Sequence, residues 1–171
     1  FEHNNDAIRW VEDFLIQKYS PDEKVNKHIN LKEQFLLKGL TVSELGFLKE
    51  KMVEKKLKKN ETIISIGDKS DGIYFLQSGK VDISLNSNQS LTTLNAGTCF
   101  GEFALIEPKS QRSANVKTIS ECFCLYLPIG VLDVIKISHQ NIIEILLKNL
   151  ASLLINRLKN SNSKINSILD H

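Results

Sequence analysis

The chain has 171 residues, 42% of them apolar and 25% charged, with a formal net charge of +2. That length fits one domain with appendages and can support a buried core, and the composition excludes a disordered, collagenous or rod-like chain. No apolar run nears the roughly 20 residues that cross a bilayer, and so small a net charge does not by itself argue for nucleic acid.

The chain opens on Phe1 with no secretory signal, as expected of a piece of a longer protein. Residues 1–20 read as an N-terminal helix. Asn4 to Asp6 offer capping side chains, and Ile8, Val11, Phe14 and Leu15 share a stripe beside Trp10. Ser20-Pro21-Asp22 breaks the pattern, because a residue before proline disfavours the helical region. Residues 21–30 read as a polar linker. A second helical block starts near Leu31, pauses at Lys38-Gly39-Leu40, and restarts at Thr41-Val42-Ser43-Glu44, whose ends can cap each other. Leu45, Leu48, Met52 and Val53 continue its apolar face. Six lysines fall between Lys49 and Lys59; with Glu50 and Glu54 among them at helical spacing, they read as a solvated helical face.

After Asn60 the texture turns to β. Thr62–Ile66, Gly72–Leu76, Val81–Leu85, Leu91–Leu94, Ser113–Thr118 and Cys122–Leu127 are short strands punctuated by Gly and Asn. Cys122 and Cys124 share one face of their strand, and three scattered cysteines make neither a disulfide framework nor a metal site, so they read as small buried hydrophobes. From Gly130 the 3.6-residue period returns. A short helix over Val131–Ile137 precedes a longer one capped by Ser138, with Ile142, Ile143, Ile145, Leu146, Leu150, Leu153 and Leu154 on its face. It thins into polar sequence after Arg157. Helices, then strands, then helices give an α+β class with an antiparallel sandwich or barrel at its centre.

One segment differs from its surroundings. Residues 100–114, FGEFALIEPKSQRSA, stand where a hairpin of two to five residues would serve. Gly101 permits close approach of backbone to a ligand. Glu102 to Leu105 can form a helical turn with outward N–H groups. Arg112 can return over that turn as a planar cation for a phosphate. A carboxylate beside an anion site suits sugar hydroxyls, so the parts suggest a sugar phosphate. The bland reading is a surface Glu102 and Arg112 paired to each other. Only Arg9, Arg112 and Arg157 are arginines among 22 basic residues, which favours a specific role for Arg112.

These residues resemble the phosphate-binding cassette of the cyclic nucleotide-binding domain family, F-G-E-x-A-L followed at fixed distance by R-x-A. Gly67-Asp68, Tyr74 and Ser78-Gly79-Lys80-Val81 resemble the family's framework. The resemblance covers residues 31–165, leaving 166–171 as a C-terminal tail. It implies an eight-stranded antiparallel β jelly roll flanked by an N-terminal helical segment and two C-terminal helices, B and C. It also implies a ligand site of Gly101, Glu102, Phe103, Ala104, Leu105, Arg112, Ser113 and Ala114. In that site Glu102 would meet the ribose 2′-hydroxyl, Arg112 the cyclic phosphate, and the amides of Ala104 and of Ser113-Ala114 would complete the cradle. Leu150, Leu154 and Arg157 on the C helix would form a lid, with Arg157 against the base or in solvent. Two departures stand out: Gln111 where proline is frequent, and Asn115 in place of a common Thr. Residues 1–16 more weakly resemble the last helix of a STAS domain, as precedes such modules in sulfate-permease-type transporters and some glutaminases.

The implied function is a regulatory module that senses cAMP, with weak discrimination against cGMP, and controls a covalently linked upstream domain. Its setting is the cytoplasm or the cytoplasmic side of a membrane protein, with membrane association only if that upstream domain is a transporter. A homodimer through the C-terminal helix is open, and no nucleic acid partner, metal or cofactor is expected. Alternatives are a ligand-free interaction module of the same fold, or the sensor of a catabolite-activator-type regulator without its DNA-binding domain. No nucleophile, metal cluster or acid–base pair suggests an enzyme.

Overall fold

The computed structural model describes residues 28–169 except 87 and 88, with side chains for 28–85 and 90–159. The N-terminal helix, the STAS-like resemblance and most of the linker lie outside the described residues.

Two 3-10 turns, Leu31–Glu33 and Phe35–Leu37, lead into helix α1, Val42–Lys51. The cap read from sequence is present in full: the Glu44 amide donates to Thr41 Oγ1, and the Thr41 amide donates to Glu44 Oε2 at 2.8 Å. The helix then stops earlier than its apolar face suggests. Val53–Leu57 is not helical but strand β1, antiparallel to Cys122–Pro128, which is β8. The expectation of one solvated helical face over Lys49–Lys59 is therefore corrected. Lys55 and Lys56 are exposed on an edge strand, where lysines discourage pairing with another chain. Sequence periodicity missed β1 because neither of its faces is buried; pairing with β8, not alternation, makes it a strand.

The remaining strands are β2 (Thr62–Ile64), β3 (Gly72–Ser78), β4 (Lys80–Asn86), β5 (Gln89–Asn95), β6 (Cys99–Phe100) and β7 (Asn115–Thr118). They form two four-stranded sheets, β1-β8-β3-β6 and β2-β7-β4-β5, paired antiparallel throughout. This is the eight-stranded jelly-roll arrangement, and the α+β class holds. β6 has two residues, too few for a periodic signal, and Ser113-Ala114 precede β7 as loop rather than strand.

β3 is buried on both faces, which explains its unbroken apolar run. Ile73 and Phe75 face the helices, while Tyr74 and Leu76 face the other sheet. β8 repeats the division, with Leu125 and Leu127 on the helical side and Cys122 and Cys124 between the sheets. All three cysteines are free and buried.

Helix α2 (Ile129–Ser138) turns at His139 into α3 (Gln140–Leu169), which runs well past Arg157. Ile142, Leu146 and Leu150 of α3 are buried against the helical side of the first sheet. Asn149 pins α3 to the second 3-10 turn, donating to the carbonyls of Leu36 at 2.9 Å and Lys38 at 2.8 Å. At 1.5 Å per residue, that anchor sits about 12 Å along the helix from Arg157.

Candidate functional site

The unusual segment begins where β6 ends. Gly101 adopts φ +71°, and a Cβ there would lie 2.5 Å from Arg112 Nη1, so both conformation and space require glycine. Beyond it, Glu102–Leu105 forms the expected helical turn, of the 3-10 type. The segment returns against the turn at residues 67–71. Arg112 N donates to the Asp68 carbonyl at 2.7 Å, Gly67 N to the Arg112 carbonyl at 2.8 Å, and Ser70 N to the Ser110 carbonyl at 3.0 Å. Gln111, where the family often has proline, forms a bridge with Lys69; Asn115 Oδ1 accepts from the Ile66 amide at 2.8 Å. Of the two departures, Asn115 thus contributes a contact of its own, whereas the bridge hydrogen bonds beside Gln111 are made by Ser110 and Arg112.

These clamps fix the Arg112 guanidinium. It is 7% exposed and donates to Asp71 Oδ1, to the Gly72 carbonyl at 2.8 Å and to the Gly101 carbonyl at 3.1 Å. The Asp71 turn is itself held by Tyr126, whose hydroxyl donates to the Asp71 carbonyl at 2.6 Å. Tyr126 packs on Tyr74, and Tyr74 stacks on Phe100 at 5.1 Å between ring centroids. Desolvation, with Asp71 adding to it, pushes the Tyr74 hydroxyl up to about 12, so this aromatic support is neutral. The framework tyrosine therefore stands behind the arginine rather than on the cavity.

Glu102 is 4% exposed and is not paired with Arg112. Its Oε1 accepts from Nη1 of Arg157, which reaches in from α3 with its side chain 36% exposed. Arg157 is thus paired across to the cavity rather than free in solvent.

Glu102 and Arg112 open onto one cavity of about 560 Å³. Gly101, Phe103, Ser113, Ala114 and Arg157 also line it. Ile64, Ile83, Leu91 and Val116 give it an apolar wall from the second sheet. Ala104 and Leu105 are buried in the core instead, and the Ala104 amide donates to the Gly101 carbonyl at 3.2 Å. Among the described residues the Ser113 and Ala114 amides have no partner. Leu150 and Leu154 do not line the cavity: Leu150 is buried in the core and Leu154 packs against it, so of the three residues expected to form a lid only Arg157 reaches the cavity. Sequence reasoning missed the apolar wall, because alternating Ile64, Ile83 and Val116 are indistinguishable from ordinary core. It also missed Asp71, whose pairing with Arg112 depends on the folded turn.

The arrangement offers a held cation, a held carboxylate, free amides and an apolar wall at one opening. That is equipment for binding a small anion bearing hydroxyls and a flat apolar part. Among the described residues no group of metal-ligating side chains gathers.

The sequence profile of the cyclic nucleotide-binding domain matches residues 54–139. The chain is 33% identical over 159 residues to glutaminase 1 of Bradyrhizobium diazoefficiens, taking in 93% of this chain and 26% of that protein. It is 33% identical over 99 residues to the cAMP-dependent protein kinase regulatory subunit of Debaryomyces hansenii, taking in 58% of this chain and 22% of that protein. The regulatory domain of Toxoplasma gondii PKA, solved as a co-crystal with cAMP, superposes with a TM-score of 0.55 at 29% identity, over 61% of this chain and 41% of that one. The chain spans about a quarter of the length of the curated relatives it matches.

Proposed function

The chain belongs to the cyclic nucleotide-binding domain family, and on that premise we propose that it is a sensor: residues 31–165 bind cAMP and pass occupancy to an attached domain. The observation that carries this reading is the pair of nearly buried, opposite charges on one cavity. Arg112 suits the cyclic phosphate and Glu102 the ribose hydroxyl, each held by its own partners. The free amides of Ser113 and Ala114 extend the anion site, and Ile64, Ile83, Leu91 and Val116 can receive the base. Ser113 has a hydroxyl that can meet a guanine amino group, but it is shorter than threonine. Discrimination between cAMP and cGMP is therefore less than about tenfold.

The likeness to a glutaminase over 93% of this chain supports an enzyme as the attached domain. Exposed Leu147, Ile155 and Leu158 on α3 support pairing of two copies along that helix, which sedimentation would test.

Calorimetric titration with cAMP and cGMP, side by side, tests the central reading. Both should bind, and Arg112→Ala should weaken binding at least about tenfold in a chain that stays folded, since a hydrogen bond to a charged group contributes about 1.5–3 kcal/mol. Unchanged affinity in the folded variant, or no saturable heat from either nucleotide, would sink it.

A further inference from the structure

Among the described residues the Glu102 carboxylate has one partner, Arg157, 55 positions away on α3. The cavity wall contains no lysine, and Arg112 is committed to Asp71, Gly72 and Gly101. Among the described residues Arg157 is thus the one cation that answers Glu102. A carboxylate as enclosed as this one is costly without such a partner. The pair uses Oε1; Oε2 has no partner among the described residues. An ionised carboxylate can accept on both oxygens, so the second remains free for a hydroxyl donor. Arg157 is delivered by a helix fixed from behind by buried Leu146 and Leu150 and by the two hydrogen bonds of Asn149. Its place is set by the fold rather than by the ligand.

We propose that Arg157 is a positioning residue for recognition of the ribose 2′-hydroxyl, acting through Glu102. This rests on Glu102 being the ribose acceptor in a cyclic nucleotide site. By holding Oε1, Arg157 keeps the carboxylate aimed into the cavity with Oε2 available. Its own contact with the nucleotide is not required. The consequence is selective: losing Arg157 weakens nucleotides that carry a 2′-hydroxyl and spares those that lack one. Because the same side chain belongs to α3, hydroxyl binding at Glu102 and the seating of α3 strengthen each other reciprocally.

The test compares cAMP with 2′-deoxy-cAMP on the 171-residue chain, by calorimetry, for wild type, Arg157→Ala and Arg157→Lys. Wild type should prefer the ribonucleotide by at least about tenfold, as expected for a hydrogen bond to a charged acceptor. Arg157→Ala should narrow that preference below about threefold by weakening cAMP while leaving the deoxy analogue nearly unchanged. Arg157→Lys keeps a cation and should recover part of the preference. A purely structural role would weaken both nucleotides together, so an unchanged ratio overturns the proposal, as does tighter cAMP binding in Arg157→Ala, which would mark Arg157 as a competitor of the ligand. If circular dichroism shows Arg157→Ala to be unfolded, the ratio is read from Arg157→Lys, where a value equal to wild type overturns the proposal. A wild type that binds both nucleotides equally removes Glu102 as the ribose acceptor, and Arg157's role with it. A wild type that binds neither overturns the cyclic nucleotide reading itself.

Discussion

At the scale of single residues, the site depends on backbone that only glycine supplies. Gly101→Ala must hold a side chain at φ +71° and places a Cβ 2.5 Å from Arg112 Nη1. Strain of about 1–3 kcal/mol follows from the backbone alone, and the displaced guanidinium should cost at least about tenfold in cAMP affinity. Thermal unfolding and calorimetry read the two losses separately, and wild-type affinity would show the contact to be dispensable. The cysteines make a second case. Burial pushes the thiols of Cys99 and Cys122 up, and Cys124 to about 12. All three should resist a thiol reagent at about pH 8 in the folded chain and react once it unfolds. The sign of the linkage is fixed: the unfolded thiols ionise from about pH 8.5 while the folded ones do not, so their contribution is intact below that pH and is lost as pH rises above it. Denaturant unfolding between about pH 8 and pH 10 should show stability falling; a flat or rising profile would contradict the burial.

At the scale of elements, α1 is the most local of the structures and the most exposed to test. Thr41→Ala removes the acceptor for the Glu44 amide and should cost about 1 kcal/mol. The backbone bond from Thr41, then the Asn141 side chain, holds the Glu44 carboxyl below its ordinary range. Such a group stabilises the fold above the unfolded carboxylate range and ceases to do so as pH falls through its folded value. The stability gap between wild type and Glu44→Ala should thus be present at neutral pH and close below about pH 4. A gap independent of pH would assign the effect to helix propensity instead. Since Asn141 lies in α3, this cap also joins α1 to the helix that carries Arg157. The capping box was legible from four residues, because its chemistry is local. β1 and β6 were not: one has no buried face and the other only two residues, so each is defined by its neighbour in the sheet.

At the scale of the whole molecule, α3 is the element through which occupancy can travel. Hydrogen exchange over residues 138–158 should slow on adding cAMP, together with residues 100–114. Protection confined to 100–114 would show that α3 takes no part in closure. Locally encoded features were legible in the sequence alone: the α+β order, the strand face shared by Cys122 and Cys124, the α1 cap, and the spacing from Glu102 to Arg112 that resembles a phosphate cassette. Close residues carry this information in periodicity and in fixed reach along the chain. The partners, by contrast, were set by long-range packing. Arg112 meets Asp71, 41 positions away, rather than Glu102, and Glu102 meets Arg157, 55 positions away. Leu150 enters the core while Arg157, two turns on, turns to the cavity. A helix apolar on more than one side does not itself say which side packs on the sheet. That is settled when burial of Ile142, Leu146 and Leu150 fixes its rotation, and the rotation then brings one arginine to one carboxylate.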